Sequence, residues 1–154
     1  YATEPGVDYV FWLENDFLIE RDVDLRELSA VLDSDRTLAQ IALMRDAVNA
    51  EEKAAGGLYE SRPGQYEPRH TVAPDGTDPG DYWMAPWLEH SAYFTTNPSL
   101  MRVRFMADNP WPSYPRECEG RFGLDLVDHG YSFGVWGNGE PWCRHVGVRD
   151  GFGY

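Results

Sequence analysis

The run Tyr9 to Leu13, YVFWL, is aromatic and β-branched, and it stops abruptly at Glu14, Asn15 and Asp16. A run this short and this apolar reads as a buried strand. Apolar residues resume at once with Phe17, Leu18 and Ile19. In an open α/β sheet, ligands sit beyond the carboxyl ends of strands. Short carboxylate stems at such an end can reach a hard divalent cation. The plainer role for the same acids is to cap the loop that follows.

Local signals organise the rest of the chain. Asp24 can cap a helix whose third residue is Glu27, with Leu25, Leu28, Val31 and Leu32 on one face. Thr37 to Arg45, TLAQIALMR, suits a buried strand or a short helix, with strand favoured. NAEEKAAGG reads as a polar helical turn ended by Gly56 and Gly57. Residues 59–81 are rich in Pro, Gly, Asp and Arg and read as one long flexible loop. YWMAPWLEHSAYFTTN holds two short strand-like runs. Asn97 and Pro98 then make a good N-cap and first turn for a helix over about 99–106. ECEGRFGLDLVDHG predicts an amphipathic helix closed by Gly130, with Phe122, Leu126 and Val127 inward. SFGVWG is a last short strand, and HVGVRDGFGY a glycine-rich tail. The alternation of short strands and helices predicts one α/β domain across the whole 154 residues.

A net charge of −13 argues against a broad nucleic-acid surface, which needs Lys and Arg on phosphate. It suits solubility, and locally a divalent cation. No apolar run approaches the length of a membrane span. Cys118 and Cys143 are too few for a disulfide scaffold. Two free, mostly buried thiols in a reducing, cytoplasmic setting are expected, with a single disulfide as the other arrangement. The chain starts at Tyr1, so a fragment or processed product is expected.

FWLEND followed by FLIERDVDLRELSAVL resembles the acidic metal motif of GT-A-fold glycosyltransferases, an acidic triplet at a strand end before an apolar step and a helix. The resemblance implies that Asp16 touches a divalent metal, Mn²⁺ or Mg²⁺. It places Glu14 against the ribose or metal-bound water of a nucleotide-sugar donor. Asn15 departs from the all-acid variants. ECEGRFGLDL resembles the helix start where inverting members place a catalytic base, giving Glu119 first and Glu117 second, although Gly120 stands where a second acid is usual. A carboxylate there can take the proton of an attacking acceptor hydroxyl. CRHVGVRDGFGY resembles the C-terminal segment that supplies a further metal ligand, which implies His145. Arg149 and Arg144 would then face the diphosphate through paired donors.

WLEHSAYFTTNPSLMR resembles the acceptor side of these enzymes, where His90 is a candidate substrate contact. Trp111 and Trp87 are candidate platforms for a sugar ring. The implied fold is a GT-A-like mixed sheet flanked by helices, lacking most of the N-terminal nucleotide-binding half. That half would come from a missing segment or a partner chain, leaving a sheet edge that invites pairing. The implied reaction is metal-assisted transfer of a sugar from a nucleotide-sugar to a hydroxyl acceptor. A non-catalytic carbohydrate- or protein-binding module is the alternative, and an assembly component whose partner is the missing half is a third reading.

Overall fold

The computed structural model describes residues 6–70, 87–112, 118–137 and 140–147. The chain enters through β1 (Tyr9–Trp12) and the short β2 (Phe17–Ile19), then forms α1 (Leu25–Ser34) and β3 (Leu38–Leu43). Two short helices follow, α2 (Ala50–Ala55) and α3 (Leu58–Ser61), and then β4 (Glu67–Arg69). β5 (Trp87–His90) and β6 (Ser99–Arg102) precede α4 (Val103–Asp108) and α5 (Cys118–Asp128). β7 (Ser132–Trp136) and β8 (Cys143–His145) complete the described elements.

Six strands form one mixed sheet in the order β1-β6-β3-β7-β5-β4, and β2 and β8 pair separately. β6 runs antiparallel between β1 and β3, while β3 and β7 are parallel. β1, β3 and β7 therefore point the same way, and their carboxyl ends share one end of the sheet. β3 is buried at every position, as its unbroken apolar run with one glutamine requires. α1 covers one face through Leu28, Val31 and Leu32, packed on Ile41, Leu43, Leu100 and Trp136. α4 and α5 cover the other through Phe105, Phe122 and Leu126, packed on Ala39, Met101 and Phe133.

Several local expectations hold. Asp24 caps α1 by accepting the Arg26 N–H. Gly56 ends α2 in the left-handed conformation, at φ 102°. Others do not. The YVFWL run is a half-buried edge strand rather than a buried one, and Leu13 lies beyond it, exposed. Leu25 is exposed, so the inward face of α1 begins at Leu28. The helix expected over 99–106 is split: Ser99–Arg102 is a fully buried strand, and only then does α4 begin. Both β1 and β3 present backbone groups toward that slot, and satisfying them outweighs the capping signal at Asn97. Within the segment 59–81 read as a long loop, residues 59–69 hold most of α3, a 3₁₀ turn and β4, while residues 71–81 lie outside the described ones. His145 sits on β8, not in a glycine-rich loop, so β7 is not the last strand. The architecture is thus mixed α/β. Among the described residues no helix is long and apolar enough to cross a membrane.

Arg102 ends β6 inside the protein. Its guanidinium donates to the carbonyls of Leu32 and Asp35 from one nitrogen, and to Arg36 (3.1 Å) and Leu38 (2.6 Å) from another. The last turn of α1 has no basic residue of its own, so this distant side chain satisfies the carbonyl end of the helix. Arg102→Met keeps the apolar stem but strands these acceptors. We expect a loss of about 3 kcal/mol, read as a lower urea midpoint at unchanged slope.

Candidate functional site

At the shared carboxyl end of β1, β3 and β7, residues distant in sequence meet. Antiparallel pairing of β2 with β8 sets Phe17 opposite His145. The adjacent Asp16 then lies beside the imidazole, with Oδ2 3.1 Å from His145 Nε2. The Val146 N–H donates to the Asp16 carbonyl (2.8 Å), and the Phe17 ring meets the imidazole edge-on at 5.0 Å. Gly147 lies against this pair: a Cβ there would stand 2.6 Å from Asp16 Oδ2 and 2.9 Å from its Cβ, so a side chain would displace Asp16. Asp16 Oδ1 is buried without a hydrogen-bond partner among the described residues.

Glu119, in the first turn of α5, is held by Thr96. The Thr96 N–H donates to Glu119 Oε1 at 2.6 Å, and the Thr96 hydroxyl donates to the same oxygen. α5 can come this close because Gly123 backs onto the chain at Phe94; a Cβ at 123 would stand 2.5 Å from the Phe94 nitrogen. Glu14 shares this neighbourhood. Burial holds its carboxyl above the usual range; Asp16 and Glu119 add to the rise, while the Thr96 hydroxyl and His145 oppose it. The cluster is short of positive charge, as a cation site would be.

Two polar residues, the buried Gln40 of β3 and the part-buried Asp46 beyond its end, hold the arms in place. The Gln40 amide exchanges hydrogen bonds with the Thr95 backbone, at 3.1 and 3.2 Å, and so fixes the loop that carries Thr96. Beyond β3, the Asp46 N–H donates to the Cys143 carbonyl (3.0 Å), and Asp46 Oδ1 accepts the His145 N–H (3.2 Å). That turn is clamped by Arg45, whose guanidinium grips both oxygens of buried Glu52 at 2.8 and 2.9 Å. The Val48 N–H adds a third bond to Glu52, at 2.9 Å.

The structure thus brings Glu14, Asp16, Glu119 and His145 together. Other expected residues are placed elsewhere. Arg144 points to the opposite face of β8 from His145 and pairs with Glu20 at 2.7 Å. Trp87 is core, packed with Trp136 and Ile41, and offers no platform to a ligand. His90 is buried among Tyr66, Tyr93 and Phe133, and burial pushes its pKa down to about 4, so it is a neutral core imidazole. Trp111 stands half-exposed on Phe94 and Phe122, with ring centroids at 5.7 and 5.3 Å. Phe122 is one turn from Glu119 on α5, so the residue under Trp111 shares a helix face with that carboxylate. Glu117 and Arg149 lie outside the described residues. Cys143 is a free, buried thiol, its pKa pushed up to about 12 by burial.

Thr96 and Asp46 escaped the sequence reading. The TTN cluster before Pro98 carried the signal for a side-chain-braced turn, and Thr95 Oγ1 does accept the Asn97 N–H at 3.1 Å. Comparison with protein-family models, curated proteins and solved structures finds no match to this chain.

The Glu52 pair makes the site's framework acid-sensitive. Despite burial, its bonds to Arg45, Val48 and Asn49 bring the Glu52 pKa from 4.5 to about 2. The folded value lies below the unfolded one, so this stabilisation is complete above pH 4.5 and is lost as pH falls toward 2. Glu52→Gln is expected to flatten the stability profile across that window, measured by denaturant unfolding at stepped pH.

Proposed function

We propose that this chain carries the metal- and acceptor-binding part of a GT-A-like glycosyltransferase, which moves a sugar from a nucleotide-sugar to a hydroxyl acceptor. One observation carries the reading. Three segments singled out for this chemistry, around residues 14–16, 119 and 145, converge at one end of the sheet although more than a hundred residues separate the first from the last.

The donors fit a hard or borderline divalent ion. Asp16 has a buried oxygen without a partner among the described residues, and carboxylate with imidazole suits Mn²⁺ or Mg²⁺. Among the described residues no group of three or more His, Cys, Asp or Glu side chains is arranged to hold a metal. Asp16 and His145 would therefore be two protein ligands, with diphosphate oxygens and water as the others. A bound cation would neutralise the diphosphate leaving group. Glu119, held by Thr96, is the base that would accept the acceptor's hydroxyl proton. Glu14 would face the ribose or water on the donor side, and Trp111 would stack on the acceptor sugar. Arg144 would have to leave Glu20 to reach a diphosphate. Arg149 and Glu117 keep the roles that the resemblance implies. The nucleotide-binding half would be supplied by polypeptide beyond this chain. Trp111 also supports a second reading, a non-catalytic carbohydrate-binding module, because an exposed indole braced by two phenyl rings needs no metal to hold a sugar.

Isothermal titration with Mn²⁺ separates the two. The transferase reading expects Asp16→Ala and His145→Ala each to weaken Mn²⁺ binding about tenfold or more. Glu119→Gln should spare Mn²⁺ binding and abolish sugar transfer once the nucleotide-binding half is supplied. Unchanged Mn²⁺ binding in both metal-site variants, with metal-independent oligosaccharide binding lost in Trp111→Ala, would establish the binding module instead.

A further inference from the structure

The outer edge of β1 is built to accept another strand. The Val103 N–H donates to the Asp8 carbonyl at 2.9 Å, and Tyr9 to Trp12 continue that antiparallel register along β6. Backbone groups alternate in such a ladder, so Asp8, Val10 and Trp12 turn toward β6, and Tyr9 and Phe11 turn outward. Among the described residues no strand meets those outward groups. Natural edges are guarded by Lys, Pro or bulges. β1 has none of these in YVFW.

Beside this edge runs an open groove of about 720 Å³, lined by apolar Phe11, Ile19, Val23 and Leu25 and by charged Glu20, Arg21 and Asp22. Among the described residues, five of the eight exposed large hydrophobics, Val7, Leu13, Leu18, Ile19 and Leu25, fall between residues 7 and 25. Tyr9, Phe11 and Val23 pack on the α1 side of the sheet. A strand that extends the sheet at β1 would thus drop every second side chain into the groove.

Charge selects the occupant. The groove's own Arg21 is paired with Glu140, and its Glu20 with Arg144. Asp8 and Asp22 remain around the edge, on a chain of net charge −13. Two copies pairing edge to edge would bring these acids together, which disfavours a homodimer. We propose that the β1 edge and its groove receive an extended strand of a partner protein, with alternating apolar side chains between flanking Lys or Arg. This pairing depends on the sheet edge and not on sugar chemistry, so either proposal can fail without the other.

The test is amide hydrogen exchange, with two synthetic peptides as probes. Each has a Val-Thr-Val-Tyr-Val centre, one flanked by Lys-Lys at both ends and the other by Glu-Glu. At millimolar concentration the Lys-flanked peptide should slow exchange at Tyr9 and Phe11 about tenfold or more, and the Glu-flanked peptide should not. Ile19→Lys and Leu25→Lys, both at exposed positions, should weaken that protection about tenfold while circular dichroism stays unchanged. The proposal is overturned if the Lys-flanked peptide protects neither amide, if both peptides protect equally, or if the two amides are already protected in a concentration-dependent dimer.

Discussion

The buried guanidinium of Arg102 is the constraint on which the rest of this structure hangs. A charged group inside a protein is tolerated only when its donors are satisfied. Here they are satisfied by the carbonyls that end α1 and lead into β3. That arrangement requires β6 to run antiparallel between β1 and β3, with its last residue beneath the helix end. Once β6 is so placed, its first residue, Ser99, lies between Trp12 and Ala42. The loop before β6 is then carried to the carboxyl ends of β1 and β3, and Thr96 comes with it.

The same end of the sheet is reinforced by polar groups in places where apolar ones would pack as well. Gln40 sits fully buried in β3 to hold Thr95, and Glu52 is buried to hold Arg45 and the turn bearing Asp46. Each costs desolvation that hydrogen bonds must offset. Both lead to the same small region, one by way of Thr96 and Glu119, the other by way of β8 and His145. Spending buried polarity to fix two arms around Glu14 and Asp16 is what a site demands and a plain core does not. The crowding of carboxylates there, with Glu14 held above its usual range, is unfavourable until a cation or a proton joins it.

Much of this was legible where the controlling forces are local. The caps at Asp24 and Gly56, the inward face of α5 and the continuous run of β3 all follow from spacing and side-chain type. Ser99 to Arg102 was misread because Asn97 and Pro98 make a convincing helix start, while the slot between β1 and β3 is a tertiary fact. β8 was missed because three residues carry no measurable period, and with it went the alternation that turns Arg144 away from His145. Trp87 and Trp111 look alike in sequence; only the fold makes one core and leaves the other exposed on Phe94 and Phe122. The pairing of Asp16 with His145, 129 positions apart, could be expected only from a resemblance, and the antiparallel β2–β8 register is its physical cause.

The central claim is that this cluster is a cation site rather than a chance gathering of acids on an acidic chain. Paramagnetic broadening by Mn²⁺ reads this directly, because amide signals fade with proximity to the ion. At substoichiometric Mn²⁺ the account predicts that Asp16, Thr96, Glu119 and His145 fade first and together, ahead of the acidic residues elsewhere on the surface. Broadening spread evenly over the exposed carboxylates, with no preference for this end of the sheet, would contradict it.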